Sequence, residues 1–316
     1  MKLLGIHHIT AIASDPQHNL DFYTRLLGLR LVKQTVNFDD PGSYHFYFGD
    51  RIGSPGTIIT FFPWPGAPRG RRGTGQVVTA SFAVPRTAIR YWKSRLNERH
   101  VLNEEMNPRF GDSVLRFADP DGLMLELIES DRPPDTNLNG ESDVPNEFAI
   151  RGFHAPTLEV QTADLTLQLL VQTFGFERSA EENNRQRFSL DEKSTGLQLD
   201  LVERRDTGFG QIAAGTVHHI AFRVADEAEQ TRWREMLADL GFGVTPVIDR
   251  QYFHSIYFRE PGGILFEIAT DGPGFATDES VEHLGENLML PKQFEAQRST
   301  IERMLPPISL PRKASV

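Results

Sequence analysis

Four of the ten histidines stand in two doublets set in matching contexts, GIHHITAIASD from Gly5 and GTVHHIAFRVAD from Gly215. Histidine is the side chain best suited to hold a metal or to move a proton near neutral pH. The chain contains no cysteine. That excludes thiolate zinc sites, iron–sulfur clusters, a cysteine nucleophile and a disulfide framework, so any metal must be held by His, Asp or Glu.

The elements that carry these doublets repeat. From Gly5 to Phe62 the chain reads strand, helix, strand, strand, strand: IHHITAIA is extended, Asp15-Pro16 opens a helix, and LRLVKQTVNF, SYHFYFGD and GTIITFFP are β-rich runs. In the helix Leu20, Tyr23, Leu26 and Leu27 share a face, and Gly28 ends it. The same order recurs three times. QVVTASFAV, a helix with Ile89, Trp92 and Leu96, and DPDGLMLELIE mark the second copy. FHAPTLEV, a helix ending at Gly175 and TGLQLDLVE mark the third; VHHIAFRV, a helix with Trp233, Leu237 and Leu240, and EPGGILFEIAT mark the fourth. The predicted fold is therefore α+β, four βαβββ modules with mixed sheets. The expected boundaries are an N-terminal domain at 1–130, a Pro- and Asn-rich linker at 131–147, a C-terminal domain at 148–272, and a tail at 273–316. The tail carries one predicted helix, from Pro291 to Leu305, with Phe294, Ile301 and Leu305 facing the body.

Superposing the modules gives every position four occupants, and chemistry should show where a polar residue replaces bland ones. The second histidine of the pair, His8 or His219, is Thr79 in module two and Ala155 in module three. In the last strand Glu267 of module four matches Glu126, Asp200 and Thr60. Strict strand alternation puts His219 with Ala221 and Arg223, opposite a face of His218, Ile220, Phe222 and Val224. It likewise puts His8 with Thr10, and His7 with Ile9 and Ala11. Glu267 lies opposite Ile264, Phe266 and Ile268. Two His and one carboxylate are the ligand type of non-haem Fe(II) oxygenases, which leave coordination positions open for substrate and dioxygen. They meet only if modules one and four pair. The expectation is one metal per chain, with modules two and three metal-free. Glu126 reads as a polar wall or ion-pair residue, and His7, His218 and His154 as supporting residues. His45, His100 and His283 have no pattern to recommend them.

Composition limits the alternatives. A net charge of -10 disfavours nucleic acid, and no apolar run could span a bilayer, so a cytoplasmic, membrane-free protein is expected. The start MKLLGIHHIT reads as a first strand rather than a secretory leader. PWPGAPRGRRGTG lacks the Lys-Ser/Thr ending of a phosphate loop and reads as the connection between modules one and two.

Modules with His on a first strand and Glu on a last strand resemble the vicinal oxygen chelate superfamily, the glyoxalase and extradiol dioxygenase fold. Within it the chain resembles bacterial ring-cleaving dioxygenases of the hydroquinone type. HHITAIASDPQHNLDFYTRLLGLRLVKQTVNFDDPGSYHFYFGD, GSPGTIITFFPWPG, VHHIAFRV, PGGILFEIATDGPGF and IERMLPPI carry the likeness over nearly the full length. The resemblance implies two domains with cup-shaped sheets. It also implies Fe(II), or Mn(II), held by His8, His219 and Glu267, with His7, Thr10 and His218 beside them and Arg250 and Tyr257 against a substrate oxygen. The implied reaction is opening of an aromatic ring by dioxygen, with Tyr257 and Arg250 stabilising charge and His218 or His254 moving protons. The implied partners are a small aromatic substrate and dioxygen, with homo-oligomerisation open. Two other readings stay open: a glyoxalase-type isomerase or lyase, which Thr60 and Thr79 at the spare positions disfavour, and a non-catalytic binder of quinones or aromatics, which would not need the metal triad.

Overall fold

The first helix starts where Asp15 accepts the His18 amide at 2.7 Å and Pro16 takes the first helical position. A computed structural model of the protein describes residues 1–131, 138, 142–190 and 197–310. Module one comprises β1 (Ile6–Ala13), α1 (Pro16–Asp21) continuing as a π turn, β2 (Arg30–Val36), β3 (Tyr44–Gly49) and β4 (Ile58–Pro63). Module two comprises β5 (Gln76–Pro85), α2 (Ala88–Glu98), β6 (Asn103–Arg109), β7 (Asp112–Ala118) and β8 (Met124–Ser130). Module three comprises β9 (Thr157–Val160), α3 (Asp164–Gln168), β10 (Glu177–Glu182), β11 (Arg185–Ser189) and β12 (Gln198–Glu203). Module four comprises β13 (Thr216–Val224), α4 (Glu227–Asp239), β14 (Ile248–Asp249), β15 (Phe253–Arg259) and β16 (Leu265–Pro273).

The strands form two curled eight-stranded sheets, ordered β14-β15-β16-β13-β1-β4-β3-β2 and β10-β11-β12-β9-β5-β8-β7-β6. Modules one and four share the first sheet; modules two and three share the second. The sheets thus do not follow the contiguous halves 1–130 and 148–272, because each takes one module from either half. The chain crosses between sheets twice, and the crossings run side by side: Arg69 bridges Ala214, and Thr74 bridges Phe209. Gly73 is needed there, since a Cβ would lie 2.4 Å from the Gly208 carbonyl oxygen.

Helices cover the outer faces. Leu20, Tyr23, Leu26 and Leu27 are buried, as are Trp92, Leu96, Trp233 and Leu237. Leu240 departs from the expected face: it caps the C-terminus of α4 and is 57% exposed. FHAPTLEV also pairs over less of its length than its composition suggests, because Pro156 has no amide to donate and β9 begins only after it. The linker at 131–147 lies partly outside the described residues, as does the end of the tail. The expected tail helix is 3₁₀ over Lys292–Gln297 and α over α5 (Arg298–Met304), with Ile301 and Leu305 buried. Upstream, the tail covers the free edge of β2: the Met289 amide donates to the Gln34 carbonyl, and Lys33 is buried between Asp278 and Glu279 at 2.6 Å each. No helix among the described residues is long and apolar enough to cross a membrane.

Candidate metal centre

The centre of the first sheet is the antiparallel pair β1 and β13, with Ile9 opposite Ile220. Strict alternation fails on both strands. His7 is an extra residue between the pairs Ile6–Phe222 and His8–Ala221, and His218 is an extra residue between Thr10–His219 and Ala11–Val217. Each is a β-bulge, which re-aims a side chain without breaking the strand. Ile6 and Ile9 therefore both reach the main core, as do Val217 and Ile220. His218 is turned away from the helix-covered face expected for it and lines the cavity of the cup.

Two rows of paired residues then cross the sheet, related by a pseudo-two-fold axis between Ile9 and Ile220. One runs Tyr257–Glu267–Ala221–His8, the other Tyr47–Thr60–Thr10–His219. Together they bring His8, His219 and Glu267 to one place, each fully or nearly fully buried. Glu267 Oε2 lies 2.8 Å from His219 Nε2 and 3.3 Å from His8 Nε2, and the two Nε2 atoms are 3.3 Å apart. Even so, this oxygen is a buried atom with no hydrogen-bond partner. A buried carboxylate oxygen is costly to leave unpaired, whereas two imidazole nitrogens and one carboxylate aimed at a common point suit a divalent metal. The donor set fits a metal on these grounds.

Neighbours fix the orientation of each donor. His8 Nδ1 is 2.9 Å from His7 Nδ1, and His219 Nδ1 is 2.8 Å from His218 Nδ1. Burial, with the adjacent imidazole adding to it, holds His7 well below the ordinary histidine range and brings His218 down to about 3. Both are thus neutral, and their Nδ1 atoms can accept hydrogen bonds from the Nδ1–H of His8 and His219, freeing the inner Nε2 lone pairs. Burial pushes the Glu267 carboxyl up, but His8 and His219 outweigh it and hold it well below the usual range. Ser255 Oγ donates to Glu267 Oε1 at 2.5 Å.

A cavity of about 330 Å³ opens above the triad. Phe38, Phe62, Trp64, Phe253 and Leu265 supply its apolar lining, and Arg250 and Tyr257 its polar side on module four. Tyr257 stands 5.6 Å from the His219 ring, with Arg250 Nε 3.4 Å from its hydroxyl. Burial, reinforced by Glu267, pushes the Tyr257 phenol well up, so it is present as a hydrogen donor. Thr10 lines the cavity and lies 3.0 Å from the Thr60 hydroxyl. His254 is not among the lining residues: its ring lies 3.4 Å from Glu227 of α4 and 4.0 Å from Asp249. Of the two alternatives for moving protons, His218 lines the cavity and His254 does not.

Sequence reasoning passed over His45 and Tyr47, which line the same cavity. His45 Nε2 is 2.8 Å from Thr60 Oγ1, and its Nδ1 is 2.9 Å from the Tyr47 hydroxyl. The available signal was the module comparison itself, because Tyr47 holds in module one the place of Tyr257 in module four.

Residues 5–127 and 152–268 match the family described as the Glyoxalase/Bleomycin resistance protein/Dioxygenase superfamily. The chain is 49% identical over 311 residues, 98% of both chains, to a Bacillus subtilis protein, MhqO, provisionally named a ring-cleaving dioxygenase. It is 35% identical over 312 residues, 96% of both chains, to a chlorohydroquinone/hydroquinone 1,2-dioxygenase of Sphingobium indicum. A crystal structure provisionally titled a dioxygenase from Bacillus subtilis superposes with a TM-score of 0.94 at 49% identity, covering 98% of this chain and 99% of that one. With both halves matched and full-length relatives at this identity, the chain belongs to the glyoxalase, bleomycin resistance and dioxygenase superfamily.

Proposed function

We propose that the protein is a metal-dependent ring-cleaving dioxygenase that opens a hydroquinone- or catechol-type ring with dioxygen, using Fe(II), or Mn(II), held by His8, His219 and Glu267. The observation that carries this reading is a buried two-histidine, one-carboxylate set at the head of an aromatic-lined cavity. Full-length similarity to a hydroquinone 1,2-dioxygenase supports it. A hydroquinone has no second hydroxyl on the neighbouring carbon. Cleavage at 1,2 therefore breaks the bond between a hydroxyl-bearing carbon and an unsubstituted one, which is the extradiol sense. Dioxygen supplies both added oxygen atoms and the ring supplies the electrons, so no further reductant is required.

The metal supplies the chemistry of bringing phenolate and dioxygen together. The protein's own groups do the rest. Arg250 and the Tyr257 hydroxyl face the cavity and stabilise negative charge on the substrate oxygen. His7 meets the ligand histidine of β1 and orients it, and Thr10 stands across the strand pair from His219. With its Nδ1 accepting from His219, neutral His218 carries its hydrogen on Nε2 and can donate a hydrogen bond to an oxygen atom in the cavity. The aromatic walls keep bulk water from the reacting carbon atoms.

Anaerobic reconstitution with Fe(II), followed by oxygen-uptake measurements with hydroquinones and catechols, tests the reading. One bound metal per chain and substrate-dependent uptake are expected. Bound iron with no uptake on either class would overturn it.

A further inference from the structure

The cavity has a second polar pole that the ring-opening reading leaves unused. In the row of module four, Tyr257 is followed by Glu267; in the row of module one, Tyr47 is followed by Thr60. The missing carboxylate explains why a metal-binding donor set forms on one side of the axis only. It does not explain why Thr60 is met by a buried histidine, or why that histidine is met in turn by a phenol. Ser255 occupies the matching position in module four, where it holds Glu267 and also meets Tyr257.

Tyr47, His45, Thr60 and Thr10 form one continuous hydrogen-bonded chain, with steps of 2.9, 2.8 and 3.0 Å. Burial pushes the Tyr47 phenol well up and His45 well down, so the phenol keeps its proton and the imidazole is neutral. Such a chain can run either way: the Tyr47 hydroxyl donates to His45 Nδ1 and His45 Nε2–H to Thr60, or Thr60 donates to His45 Nε2 and His45 Nδ1–H to Tyr47. Tyr47 Oη offers the cavity an acceptor lone pair in the first case and its own O–H in the second, and a ligand hydroxyl can pair with either. Such a group in a largely apolar pocket selects a ligand with a hydroxyl at that place, because a ligand without one leaves it unpaired.

A para-diol carries its two hydroxyls at opposite ends of the ring, as the cavity carries its two tyrosines at opposite ends of the pseudo-symmetric rows. We propose that the Tyr47–His45 pair recognises the second hydroxyl of a hydroquinone, para to the one held beside Arg250 and Tyr257, and so selects para-diols over ortho-diols. This rests on the ring-opening reading for the placement of the first hydroxyl. A catechol would present both oxygen atoms to the metal side and leave Tyr47 without a partner.

The test is calorimetric titration of the metal-loaded, full-length protein under anaerobic conditions, with hydroquinone and with phenol. Tyr47→Phe should weaken hydroquinone about tenfold, the loss of one hydrogen bond in a dry site, and change phenol by less than about twofold. His45→Phe leaves the tyrosine in place but removes the ring nitrogens that orient its hydroxyl, and should weaken hydroquinone by about three- to tenfold. Thermal melts of both variants confirm that the fold is kept. Equal weakening of both ligands, an unchanged hydroquinone affinity in both variants, or no hydroquinone binding by the wild type overturns the proposal. These are binding measurements, so a chain that discriminates the two ligands but consumes no oxygen would instead overturn the ring-opening reading.

Discussion

The two sheets are built from the same module and treat the same buried acids in opposite ways. In the first, Glu267 meets two histidines and faces Tyr257 across the strand pair. In the second, the matching row runs Arg187–Asp200–Thr157–Thr79, and Glu126 faces Arg116. Each histidine ligand has become threonine or alanine, and each facing tyrosine has become arginine. Glu126 lies 2.7 Å from Arg109 and 2.8 Å from Arg116; Asp200 lies 2.8 Å from Arg187 and 2.9 Å from Arg185. Against the upward push of burial, Arg109 and Arg116 hold the Glu126 carboxyl down at about 2. A buried carboxylate must be neutralised by something; one sheet surrounds it with guanidiniums and the other with a histidine pair suited to a metal. The bulge is shared: Val78 is the extra residue on β5, as His7 is on β1. Backbone geometry alone does not make the site.

The comparison breaks first at the ligands. His219→Ala should lower metal affinity by more than about 1,000-fold, since even an outer hydrogen-bond partner costs about 10–100-fold. Metal content by elemental analysis checks this, and retention of stoichiometric metal would sink the assignment. Glu126→Ala addresses the other sheet: it leaves Arg109 buried without its carboxylate and should cost about 3–5 kcal/mol in equilibrium denaturation, with metal content unchanged.

A third prediction concerns a feature common to both sheets, the buried acid in the turn before the last strand. Asp119 accepts from the Leu123 and Asp121 amides and from Tyr23 of module one; Glu260 accepts from Gly262, Ile264 and Thr166 of module three. Burial raises Asp119 to about 7. An unfolded aspartate titrates near about 3.9, so the folded chain binds this proton more tightly. Its contribution is therefore greatest below about pH 4 and is lost as pH rises through 7, by roughly 1–2 kcal/mol between pH 5 and 7. Asp119→Asn should flatten that slope in urea titrations run across the range. The smallest effect is expected at Ser255→Ala, which frees one oxygen of Glu267 and should weaken metal binding about tenfold in chelator competition, while melting shifts little.

The sequence by itself determined the module, its four copies and the three residues that converge. Residue types at matching positions are a local property, and the ligand count left one productive pairing of modules. It also marked Arg250 and Tyr257, through resemblance rather than pattern. Tertiary structure decided what depends on cross-strand partners. Alternation has a period of two only while both strands advance together, so the bulges at His7 and His218 could not be read from either strand alone. The placement of His254 beside α4, the pairing of Glu126 and Asp200 with arginines of other strands, and the chain from Tyr47 to Thr10 likewise depend on cross-strand register, which no single segment reveals. A histidine in SYHFYFGD has no distinguishing local pattern; it becomes part of the cavity because β3 pairs with β4, which sets His45 against Thr60 two strands from β1.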